Sequence, residues 1–175
     1  MLFKKKHIHI FIVDDNKTYL LALKSSIETA FLNTQITIHS FETGEACMNK
    51  LNIINPKIVI LDYLLNSKIS EAANGLKIME WILKECPETN IILLTNEDNI
   101  EVAIKSFKYG AYDYIVKNES QFMKINNSLM KLFNIMRANS EVNRFKNVNR
   151  TLLYFLVIQI IAIIAVLSLT NSCIK

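Results

Sequence analysis

Five side chains in this sequence are of types that could hold a metal ion and handle a phosphoryl group: Asp14, Asp15, Asp62, Thr95 and Lys117. Each follows a short apolar run: IFIV before the acid pair, IVIL before Asp62, IILL before Thr95 and YIV before Lys117. Three carboxylates gathered in a half-buried crevice repel one another, so a cation must offset them. Oxygen ligands that leave positions for water suit Mg2+. A carboxylate can also act as a nucleophile and become an aspartyl-phosphate. A lysine and a hydroxyl beside it would then meet the phosphoryl oxygens. Any one acid at the end of an apolar run is more often a helix cap or a loop residue, so it is the ordered set that carries the chemistry.

These residues need elements that bring them together. Ile8–Val13, Ile36–Phe41, Ile58–Leu61, Ile91–Leu94 and Tyr112–Val116 are short and rich in β-branched or aromatic residues, and they predict strands. The segments between them have helical spacing. Leu20, Leu23, Ile27 and Phe31 form one stripe, Leu76, Met79, Ile82 and Leu83 a second, and Val102, Ile104 and Phe107 a third. Thr43 is placed to cap a helix over Gly44–Leu51, and Gly110 to end one. Five strand–helix units predict an α/β domain with a parallel sheet. In such a sheet the crevice at the carboxyl ends of the strands holds the site, so all five groups should converge on one edge. None of the three glycines builds a phosphate-cradling loop.

The last third of the chain differs. Residues 121–175 carry seven basic and one acidic side chain, against a net charge of +4 for the whole. Lys124, Lys131, Arg137, Arg144, Lys146 and Arg150 precede a run without charge from Thr151 to Ile174. That run is long enough for about 20 residues of helix to cross a hydrocarbon core of ~30 Å. The basic excess before it predicts a single-pass membrane protein with its N-terminal part in the cytoplasm. The expected organisation is a first domain over 1–135, a basic helical linker over 136–150, a transmembrane helix over 151–171 and a tail over 172–175. Membrane lipid is an expected contact of the basic stretch. Ile135, Ala138, Val142 and Phe145 form a shifted stripe, and a homodimer through the stalk and membrane helix is an open alternative. Nucleic acid is not an expected partner, because the basic stretch has few aromatics and no recognition helix. Cys47, Cys86 and Cys173 share no metal-like spacing, and the first two read as reduced and structural.

The segments IVDDN, IVILDYLL, IILLT and YDYIVK resemble the receiver domain of two-component response regulators, over roughly residues 6–135. The resemblance implies a flavodoxin-like, doubly wound five-stranded parallel sheet of order 2-1-3-4-5. By the same likeness, Asp62 is the phosphoacceptor, and Asp14 and Asp15 hold Mg2+ with Asp62 and the Leu64 carbonyl. Thr95 and Lys117 sense the phosphate, and Tyr114 takes the aromatic switch position. It further implies a histidine kinase or phosphotransfer protein as donor, and a signalling protein that is not an enzyme beyond its own phosphorylation and dephosphorylation. Several residues depart from the family pattern: Asn66 and Asn118 stand where prolines are usual, the 66–74 loop is long, and Asn96 replaces a small residue. Leu64 and Glu97 occupy the positions that line up the hydrolytic water. Leu64 offers that water no hydrogen bond, which predicts slow self-dephosphorylation. The other function class left open is a receiver-fold membrane scaffold that never turns over phosphate.

Overall fold

The computed structural model describes residues 7–65, 75–96 and 99–172, and the side chains of all of these but residue 143 and residues 162–172. The 66–74 loop, Glu97 and Cys173 lie outside the described residues. The elements alternate as β1 (Ile8–Val13), α1 (Lys17–Ala30), β2 (Ile36–Phe41), α2 (Gly44–Ile54), β3 (Ile58–Asp62), α3 (Gly75–Glu85), β4 (Asn90–Thr95), α4 (Ile100–Lys108), β5 (Asp113–Val116) and α5 (Gln121–Ser172). The five strands form one sheet in the order β2-β1-β3-β4-β5, with every pairing parallel. This is the expected flavodoxin-like topology. The chain divides into two compact units, Met1–Ser128 and Leu129–Lys175, and the first contains the whole sheet.

Strand ends differ from the apolar runs in an informative way. β3 continues through Asp62 and β4 through Thr95, because ladder hydrogen bonds are made by backbone and do not stop where the side chain turns polar. Asp62 lies in register with Leu94, and Thr95 with Val116. Both polar residues are therefore held by the sheet itself.

Alternation along the strands splits the core in two. Phe11, Val13, Val59, Leu61, Ile91 and Leu93 point to one face and are buried with Cys47 and Leu51 of α2 and Ile78, Met79 and Ile82 of α3. Ile10, Ile12, Ile58, Ile60, Ile92 and Leu94 point to the other, where Leu20, Leu23 and Ile27 of α1 are also buried. Cys47 and Cys86 are free and buried, as expected of structural thiols.

The helix ends follow their local chemistry. Thr43 Oγ1 accepts from the Ala46 amide and Asn16 Oδ1 from the Tyr19 amide, each satisfying a first-turn donor. Gly110 takes φ 98°, a left-handed conformation that a Cβ disfavours, to end α4. The α4 stripe is a correction. Ile104 and Phe107 are half exposed, and the buried residue is Ser106. Its hydroxyl donates to the Ala103 carbonyl at 2.7 Å. A small side chain with its polar atom already satisfied can enter a close helix–sheet contact that a larger apolar one cannot.

The second correction concerns the membrane. Among the described residues no helix is long and apolar enough to cross a membrane. α5 runs as one helix to Ser172. The expected transmembrane helix over 151–171 is therefore not supported. With it falls the single-pass membrane localisation.

Candidate functional site

The carboxyl ends of β1, β3, β4 and β5 place Asp14, Asp62, Thr95 and Lys117 beside one another. Asp14 follows β1, and its backbone amide donates to the Phe41 carbonyl of β2 at 3.0 Å. Asp62 and Thr95 are the last residues of their strands. The Lys117 amide donates to the Thr95 carbonyl at 2.6 Å, extending the β4–β5 ladder by one bond. Asp14, Asp62 and Thr95 are all buried.

Lys117 is the centre of the arrangement. Its Nζ lies 2.7 Å from Asp14 Oδ2 and 2.9 Å from Asp62 Oδ2. The cation that the three carboxylates require is thus supplied in part by the chain itself. Asp14 Oδ1 accepts from the Asn16 amide at 2.9 Å, and Asp62 Oδ1 from the Leu64 amide in a long contact of 3.4 Å. Burial, more than any other cause, raises the Asp62 pKa above its usual value; the Lys117 hydrogen bond and charge pull it down, and the Asp14 charge pushes it up. The net rise means that the ion pair does not fully repay the loss of water.

Asp14, Asp15 and Asp62 each offer a carboxylate oxygen, and these oxygens lie within 4.8 Å of one another. Asp15 is only partly buried, so it keeps one side of the cluster open to water. A hard cation that holds few protein oxygens and retains its waters fits this donor set. Leu64 follows β3 with its side chain 44% exposed. Tyr114 is partly buried against the core formed with α2 and α3. Asn118 Oδ1 accepts from both the amide and the hydroxyl of Ser120, which organises the turn into α5.

Two residues at the site escape the strand-end reasoning. Gly75 opens α3 so close to β3 that a Cβ would lie 2.6 Å from the Asp62 carbonyl and 2.8 Å from Tyr63 Cα. Its amide donates to the Tyr63 carbonyl at 2.9 Å. Tyr19, in the first turn of α1, carries Lys117 Nζ 4.7 Å from its ring centroid. The signal for Tyr19 is its distance from the acid pair: four residues on, one helical turn brings a side chain back over the strand end.

Comparison with known proteins agrees with this geometry. A family model described as the response regulator receiver domain matches residues 10–127. The chain is 32% identical over 114 residues to a protein-glutamate methylesterase/protein-glutamine glutaminase of Methanosarcina barkeri, covering 64% of this chain and 29% of that protein. It is 30% identical over 146 residues to a putative NtrX-like response regulator of Rickettsia felis, covering 81% and 27%. The chain thus spans less than a third of the length of these two relatives. Among solved structures, the signal receiver domain of a putative Luxo repressor protein from Vibrio parahaemolyticus superposes with a TM-score of 0.66 at 18% identity, over 78% of this chain and 98% of that one, a likeness of fold.

Proposed function

This chain belongs to the response regulator receiver family, and from that premise we propose that it accepts a phosphoryl group on Asp62 from a histidine kinase or phosphotransfer protein. Receivers of two-component systems are signalling modules that interact with such donors, and they bind Mg2+ in an acidic pocket. Asp14, Asp15, Asp62 and the Leu64 carbonyl are the groups that would hold the ion here. Bound there, Mg2+ neutralises charge on the carboxylates and on the phosphoryl oxygens.

The chain's own residues supply the rest. One Asp62 carboxylate oxygen attacks phosphorus, the bond from phosphorus to the donor's histidine nitrogen breaks, and the nitrogen leaves with the electron pair. Lys117, already within reach of Asp62, turns its ammonium to the new phosphoryl oxygens. Thr95, the last residue of β4 and in register with Val116, offers its hydroxyl to another. Tyr114 would follow Thr95, altering the surface of α4 and β5. The observation that carries this reading is the double ion pair of Lys117 with Asp14 and Asp62.

The test is labelling of the chain with acetyl phosphate, with and without Mg2+. We expect an acid-stable, alkali-labile label that requires Mg2+ and is absent in Asp62→Asn. A label that persists in Asp62→Asn places the nucleophile elsewhere.

A further inference from the structure

A side chain from α1 completes the Lys117 environment. The Tyr19 ring faces the ammonium with its centroid 4.7 Å from Nζ, inside the range in which the quadrupole of an aromatic face attracts a cation. The ring is not free to drift. Its hydroxyl donates to Gln121 Oε1 at 2.8 Å, and its centroid lies 5.8 Å from that of Phe122. Gln121 is the first residue of α5. At the other end of the side chain, the Tyr19 backbone amide is held by the Asn16 cap, and the Asn16 amide is held by Asp14 Oδ1. The phenol thus stands between the ion-paired ammonium and the first turn of a helix, fixed at both ends.

We infer that Tyr19 is a positioning residue: its ring steers the Lys117 ammonium onto the Asp14–Asp62 pair, and its hydroxyl transmits movement of that ammonium to Gln121 at the start of α5. The inference rests on the reading of Asp62 as phosphoacceptor for its first half only. Lys117 has two anionic partners and one aromatic face. When the charge at Asp62 changes, the balance among the three changes, and the ring is the only one of them bonded to α5 through a side chain among the described residues. Phosphorylation is one way to change that charge, and removing the carboxylate by mutation is another. The relay can therefore be read with or without chemistry at the site.

The experiment uses the full chain and three substitutions. Tyr19→Leu removes ring and hydroxyl; Tyr19→Phe keeps the ring and cuts the link to Gln121. In labelling by acetyl phosphate, Tyr19→Leu should slow the reaction roughly 3- to 10-fold, and Tyr19→Phe should recover most of that loss. A merely structural tyrosine would not show this rescue, because both variants lose the hydrogen bond. The Gln121 side-chain amide is then followed by NMR in Asp62→Asn, with and without Tyr19→Phe. The Asp62→Asn change should shift that amide when Tyr19 is present and leave it unmoved when Phe is there. Equal labelling rates in Tyr19→Leu and the parent overturn the steering role. A Gln121 shift that persists with Tyr19→Phe overturns the relay. A parent chain that takes no label defeats the phosphoacceptor reading and the steering role with it, and the NMR comparison still decides the relay.

Discussion

Lys117 Nζ lies 2.7 Å from Asp14 Oδ2 across 103 residues of sequence, with the carboxylate fully buried. The same nitrogen holds Asp62, so two of the three site carboxylates share one ammonium before any metal is present. Stability, metal response and turnover of the site all follow from that sharing.

Asp62→Asn should stabilise the fold at neutral pH in Mg2+-free buffer. The Asp62 pKa is raised in the native state, chiefly by burial. A raised carboxylate favours folding in its protonated form, so its contribution is present below the unfolded value of ~3.9 and is lost as pH rises through the folded value. The asparagine is nearly isosteric and carries no charge. Thermal unfolding from pH 4 to pH 8 should show the midpoint of Asp62→Asn above that of the parent at pH 7, the gap closing toward pH 4. A gap that widens toward acid would mean that Asp62 is stabilised as its anion.

Lys117→Met should have the opposite effect. Removing one partner of a buried ion pair leaves uncompensated charge and costs about 3–5 kcal/mol. Here two carboxylates, Asp14 and Asp62, lose their shared cation. Added Mg2+ should then raise the midpoint of Lys117→Met more than that of the parent, since a ligand that binds only the native state stabilises it by mass action. Asp15→Ala should reduce the Mg2+ response in both backgrounds. Denaturant unfolding with and without Mg2+ measures each quantity, and an equal Mg2+ gain in parent and Lys117→Met would separate the lysine from the metal cluster.

Gly75→Ala should loosen the end of β3. The new Cβ would fall 2.6 Å from the Asp62 carbonyl and 2.8 Å from Tyr63 Cα, both backbone atoms that cannot rotate away. Overpacking of this kind costs about 1–3 kcal/mol. Because the displaced backbone belongs to Asp62 itself, the labelling rate should fall together with stability. A variant as stable as the parent would show that α3 can shift outward without strain.

Leu64→Asn should shorten the lifetime of the phosphorylated form. Leu64 sits two residues past Asp62 with an exposed side chain that makes no hydrogen bond to water. An amide there can orient the water that attacks phosphorus, worth about 1–3 kcal/mol of barrier, or roughly 5- to 150-fold in rate. Loss of label after removal of the phosphodonor gives the half-life directly. An unchanged half-life would leave Asp62 in place as acceptor and remove Leu64 from the timing.

The sequence by itself determined the strands, the α/β class and the convergence of Asp14, Asp62, Thr95 and Lys117. Those depend on period-two and period-3.6 patterns and on the rule that parallel strands share one functional edge, all of which are local or topological. It also marked Thr43 and Gly110, whose roles are set within a few residues of themselves. Tertiary structure alone decided which groups share a proton or a charge. Lys117 chooses its partners through the β4–β5 register, and Tyr19 reaches the ammonium through the placement of α1 on the sheet; neither leaves a periodic trace. The same limit explains the misreading of α4. Ser106 is buried and Ile104 and Phe107 are half exposed because the fit of α4 to the sheet outweighed hydrophobicity. The apolar end of the chain suggested a bilayer span, yet no described helix is long and apolar enough to make one. Hydrophobicity counts which residues avoid water, whereas packing geometry decides which of them can be enclosed.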